Sequence, residues 1–182
     1  MSARGPVPPP TGGTPRAVPE DARAMVRTFL SEEEERVWLA LMESYDGLLH
    51  ALDDRLLSEH NLSLSTFEAI MYVTHAETGA ISISDLAERI RLSPSQVSRI
   101  AIELERKGLI ERQRSEHDSR STEVAITEAG RAQLQAAAPT YLQTIRARLF
   151  DPLTDRDVKQ LARIWGRIQA VCSADHAEAG RR

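Results

Sequence analysis

Apolar residues recur every three to four positions from Val37 through Leu41, Tyr45, Leu48, Leu52 and Leu56, which predicts one long amphipathic helix ending near His60. Ser31 and Glu34 mark its start as a capping-box pair in an acidic first turn that suits the helix dipole. A second helix, capped by Ser63 and carrying Phe67, Ile70 and Met71, is expected to end near Gly79. Ser82 with Asp85 opens a short third helix with Leu86, Ala87 and Ile90 inward. Ser93, Pro94 and Gln96 open a fourth, whose buried stripe is Val97, Ile100, Ala101 and Leu104. Gly108 is the residue that stops it.

The period then changes. "LIERQRS" and "STEVAIT" flank a turn-like "EHDSR", with Val124 and Ile126 alternating, so a β-hairpin is expected. After Thr127 the helical period returns in Leu134, Ala138, Tyr141, Ile145 and Leu149, along a helix expected to bend or break at Pro139. Thr154 with Asp157 caps a last helix. Its Val158, Leu161, Trp165, Ile168 and Cys172 form the seam of a helix that packs on another helix.

The fold class is therefore mainly α with a small β-wing: a winged helix-turn-helix flanked by N- and C-terminal dimerisation helices. The expected spans are a disordered, proline-rich tail at 1–30, an N-terminal dimerisation helix at 31–62, the winged helix-turn-helix at 63–127, C-terminal dimerisation helices at 128–174 and a flexible C-terminus at 175–182. Six of the nine prolines fall in the first 20 residues, which leaves that tail little to bury. The terminal helices are too long for a small head to cover, so pairing across a two-fold axis is expected.

Composition narrows the partners. The net charge of −4 excludes a simple basic coat for nucleic acid; residues 82–121 carry eight basic and seven acidic side chains, so placement rather than sum must carry any such role. The polar start of the fourth helix suggests what it touches. Ser93, Ser95, Gln96, Ser98 and Arg99 stand where a recognition helix meets base edges in the DNA major groove. Gln suits adenine, Arg suits guanine, and Ser suits either donor or acceptor edges. Arg112, Arg114, His117, Asp118 and Arg120 cluster in the hairpin, whose tip can reach the adjacent minor groove. Ser93, Pro94 and Gln96 also serve as an ordinary helix start, Asp118 as a turn residue, and Arg112 with Glu111 as a solvated pair.

The stretch "ISDLAERIRLSPSQVSRIAIELERKGLIERQRSEHDSRSTEVAITEAG" resembles the reading head of the MarR family of bacterial transcription regulators. The likeness rests on the "LA" of the third helix, on "LERKGLIER", on the wing's Asp118 and Arg120, and on Val124, Ile126, Thr127 and Gly130. "LSLSTFEAI" is similar to the family's second helix. Ser119 stands where the family's wing often has an arginine. The resemblance implies a homodimer on a pseudo-palindromic double-stranded operator, usually acting as a repressor. It also implies a cleft for a small-molecule effector, for which Trp38, Tyr45, Glu68, Tyr72 and His75 are the candidates.

Other chemistries find less in the sequence. The five histidines are scattered without metal-ligand spacing, so no metal or cofactor is expected. No nucleophile–base pair or phosphate loop emerges, so no enzyme is expected. The single cysteine, Cys172, rules out an intramolecular disulfide; it continues a packing seam, with a redox sensor as the alternative reading. A winged-helix module that docks a protein is the other alternative. No apolar run approaches a membrane span and no secretion signal is evident, which gives a cytoplasmic expectation.

Overall fold

The computed structural model describes residues 29–77, 79–114 and 122–179, with side chains up to residue 171. The proline-rich tail, the wing tip with His117, Asp118 and Arg120, and the Cys172 side chain lie outside the described residues. Contacts divide the chain into a unit up to Gly47 and a unit from Leu48 onward.

In the first unit, helix α1 (Glu32–His60, which continues into the second unit) starts as expected: Ser31 Oγ and Ser31 N both donate to Glu34 Oε2, at 2.7 and 2.8 Å. These bonds hold the Glu34 carboxyl below the usual carboxylate range. Leu30, Val37, Trp38 and Leu41 line an apolar groove on this unit.

The second unit contains the last turns of α1, then α2 (Leu64–Thr74), β1 (Ala80–Ser82), α3 (Ile83–Ile90), α4 (Pro94–Arg106), β2 (Ile110–Arg114), β3 (Thr122–Ile126), α5 (Glu128–Ile145), a π-helical turn (Arg146–Phe150) and α6 (Asp155–Ala179). Its core is built from Leu56, Leu62, Phe67, Ile70, Leu86, Val97, Leu104 and Val124, all buried. Tyr141 of α5 stacks on Phe67, ring centroids 4.7 Å apart. None of the described helices is long and apolar enough to cross a membrane.

Four sequence expectations change. The sheet has three antiparallel strands in the order β1-β3-β2, not a lone hairpin. Ile81 pairs with Val124 across β1 and β3, and a three-residue strand made by such a distant partner leaves little local signal. Accordingly α2 stops at Thr74, where His75 closes it, and does not run on to Gly79. Helix α5 passes unbroken through Pro139; the irregular turn comes later, at Arg146–Phe150. The ring costs one backbone hydrogen bond, and Ala137, Thr140 and Thr144 on the same helix are buried. With Gly130, those three, not the larger apolar residues of the expected stripe, are the buried positions of α5.

The motif ending at Gly130 has a local cause. Thr127 Oγ1 accepts from Gly130 N at 3.0 Å as N-cap of α5 and donates to Gly108 O at 2.8 Å, which ties α5 to the end of α4. A Cβ on Gly130 would run into the carbonyl oxygen of Leu109, so only glycine lets this helix start approach the strand.

Candidate nucleic-acid interface

Helix α4 begins with a complete capping box. Ser93 N and Ser93 Oγ donate to Gln96 Oε1 at 3.0 and 2.7 Å, while Gln96 N donates back to Ser93 Oγ. Pro94 at N1 needs no acceptor there. Because Ser93 spends its one hydroxyl proton on Gln96, Ser95 must be the donor in the 3.1 Å contact between the two serines. The far end closes on Gly108, at φ +70, with Leu109 N bonding Leu104 O.

Between these ends one face is buried through Val97, Ala101 and Leu104. The opposite face presents Ser95, Arg99 and Ile102 to solvent, with Ser98 half-buried beside them. Ile102 is an apolar side chain left 52% exposed on this polar face, and the sequence reading passed over it. Its signal was available: position 102 falls off the Val97–Ala101–Leu104 stripe and one turn beyond Ser98 and Arg99. Gln96 differs from the rest, because its carbonyl oxygen is already engaged by Ser93.

The acids on α4 each have an ion-pair partner. Glu103 binds Lys107 at 2.8 Å, and Glu105 meets Arg112 of β2 at 3.6 Å. Arg112 therefore pairs with Glu105, not with its neighbour Glu111. Arg99 and Arg114 have no ion-pair partner among the described residues. Arg114, exposed at the end of β2 opposite Thr122, stands at the base of the wing.

The effector candidates fall into separate places. Trp38 and Tyr45 belong to the first unit and are 50% and 54% exposed. In the second unit Glu68 and Tyr72 are half-buried on α2, with the Arg89 guanidinium 6.0 Å from the Tyr72 ring centre. Burial holds the Glu68 carboxyl above the ordinary range, partly offset by the charge of Arg91. Burial also raises the phenol of Tyr141, helped by Glu68 and Tyr72, so these three side chains form one electrostatic group. His75 is used differently: its Nδ1 lies 2.7 Å from Met71 O, which ties the ring to its own helix. Among the described residues no three His, Cys, Asp or Glu side chains gather as a metal site.

The sequence profile of the MarR family matches residues 60–121, from the end of α1 through β2 to the residue before β3. The chain is 28% identical over 104 residues to the HTH-type transcriptional repressor MdtR of Bacillus subtilis, covering 57% of this chain and 66% of that protein. It is 28% identical over 115 residues to the transcriptional repressor MprA of Escherichia coli, covering 63% and 65%. The chain thus spans just under two thirds of the length of these relatives. Among solved structures, AbsC, a MarR family transcriptional regulator from Streptomyces coelicolor, superposes with a TM-score of 0.71 at 24% identity over 80% of this chain and 98% of that one. Sco3205, a MarR family regulator from the same organism solved in complex with DNA, does so with a TM-score of 0.71 at 25% identity over 78% and 88%. With the capped α4, the three-stranded wing and the Thr127–Gly130 joint behind them, these likenesses make residues 60–121 similar to the MarR family in sequence and the fold similar to that of its solved members.

Proposed function

We propose that this protein is a sequence-specific DNA-binding transcription regulator that works as a homodimer on a pseudo-palindromic operator. The observation that carries the reading is α4: a capped helix whose first two turns hold Ser95, Ser98 and Arg99 on an open face while its acids are paired elsewhere. Arg99 addresses guanine, Ser95 and Ser98 address either edge, and Ile102 meets a thymine methyl. Gln96 holds the helix start and offers the groove only its amide N–H groups. Arg114 leads a wing that reaches the neighbouring minor groove.

Two subunits join through the terminal helices, where Ile164, Trp165, Ile168 and Val171 stand 37–65% exposed in the single chain. Repression is the sign we assign, in keeping with relatives named as repressors. A small-molecule effector bound beside Glu68 and Tyr72 favours a dimer whose recognition helices no longer match the half-site spacing.

The test is fluorescence anisotropy on the DNA upstream of the protein's own gene, with excess random competitor at near-physiological salt. Competitor-resistant binding of two subunits per site is expected. Arg99→Ala should relax the preference at one base pair per half-site, a loss of about 1–3 kcal/mol of discrimination for each contact. Binding no tighter than to random DNA at the wild-type gene and across a genomic fragment library would end the reading.

A further inference from the structure

The end of α1 is held by an unusual number of polar contacts from distant parts of the second unit. Thr140 Oγ1 donates to Glu59 Oε2 at 2.8 Å and lies 2.8 Å from His60 Nε2. A threonine has one hydroxyl proton, already given to Glu59, so His60 Nε2 must carry the proton it shares with Thr140. Gln133 Nε2 donates to His60 O at 3.1 Å, and Arg55 bridges Glu59 to Thr144. The next residue, Asn61, is left-handed at φ 55, and its carbonyl accepts from Lys107 Nζ at 3.4 Å. Lys107 is the C-cap of α4. Three turns of α5 thus hold Arg55, Glu59 and His60, and the end of the recognition helix holds the next residue, Asn61. Thr140 and Thr144 are 6% and 2% exposed, positions where valine would bury equal volume without needing a partner.

We propose that Thr140, through His60 and Glu59, is a positioning residue that sets the recognition helix against α5, the helix that leads to the C-terminal subunit-joining helices. This rests on the regulator reading above. Satisfied buried polar groups specify one arrangement where an apolar contact tolerates several. Losing the hydroxyl frees the His60–Asn61 joint, so the two recognition helices of a dimer no longer keep one separation.

Thr140→Val removes the hydroxyl and keeps the shape; Thr140→Ser keeps the hydroxyl. Each is measured against operators whose half-sites are moved one base pair closer or further apart. Wild type should prefer one spacing by about tenfold, Thr140→Val should reduce that preference to about threefold or less, and Thr140→Ser should restore it. A Thr140→Val protein with the wild-type spacing preference, or a Thr140→Ser protein that fails to recover it, overturns the proposal. Hydrogen exchange decides the point without DNA. Faster exchange confined to residues 60–64 and the last turn of α4 supports the joint, and a uniform change throughout the second unit shows a merely structural threonine. Absence of any site preference in wild type would sink the regulator reading, with the exchange result still standing for or against the joint.

Discussion

The head between Leu62 and Ile126 and the last helix, α6, handle apolar surface in opposite ways. In the head Phe67, Ile70, Val73, Leu86, Val97, Leu104 and Val124 are all at most 2% exposed, and among the described residues Ile102 is its one large apolar side chain left open. In α6 the described seam keeps only Val158 and Leu161 half-buried, while Ile164, Trp165, Ile168 and Val171 remain open. The head has a finished core; among the described residues α6 has an apolar face left exposed. Stability of the head should therefore be a property of the monomer, and order along α6 a property of association.

The strongest way to break this contrast is inside the head. Phe67→Ala removes a fully buried ring stacked on Tyr141 and should cost about 3–5 kcal/mol in urea unfolding. A loss near 1 kcal/mol would mean that the head is looser than its burial implies. Trp165→Ala should do the converse. It should weaken subunit association by about 2 kcal/mol, roughly thirtyfold in sedimentation equilibrium. Unfolding of a dilute, monomeric sample should hardly move; an equal loss there would show that Trp165 supports the chain's own fold.

Local chemistry was legible in the sequence and distant pairing was not. The Ser31–Glu34, Ser93–Gln96 and Thr154–Asp157 caps and the Gly108 stop lie within three or four residues of their causes, and each forms as read. The long stripe from Val37 to Leu56 predicts one amphipathic helix. Leu52 and Leu56 are buried, but Val37 is 64% exposed, because periodicity reports an apolar face and not whether this chain covers it. Strand β1 exists through its pairing with β3. Thr140 and Thr144 escaped notice because a search for apolar spacing skips threonine, although their hydrogen bonds to Glu59, Arg55 and the Thr140 carbonyl let them enter the core. On the open face of α4, polarity points to Ser95 and Arg99, which are exposed, and passes over Ile102; Gln96, which the sequence offers both to the cap and to the groove, has its carbonyl oxygen engaged by Ser93.

A smaller change sharpens the contrast by improving the head. Arg91 closes α3 in the left-handed region, φ 55 and ψ 39, with Leu92 N bonded to Ala87 O in the arrangement that usually takes glycine. A side chain there costs roughly 1–2 kcal/mol, and the extra freedom of glycine in the unfolded chain takes back roughly 0.4–1, so Arg91→Gly should stabilise the head by about 0.5–1 kcal/mol. Association through α6 should not change. A destabilised head would mean that the attraction between Arg91 and Glu68 outweighs the strain.

Glu68 supplies the smallest effect and one with a definite sign. Its carboxyl is raised by burial, so the folded head holds that proton more tightly than the unfolded chain does. The penalty is absent in acid, where both states are protonated. It appears as pH rises past the ordinary carboxylate range and is complete once the raised folded value is passed. Glu68→Gln should therefore raise the melting temperature at pH 7 and leave it unchanged well below the carboxylate range, so that the two curves converge in acid. Arg91 offsets part of the penalty, so in the Arg91→Gly background the gain from Glu68→Gln at pH 7 should grow. If the gain were equal at both pH values, it would come from packing of the amide, and Glu68 would carry no desolvated charge for an effector to meet.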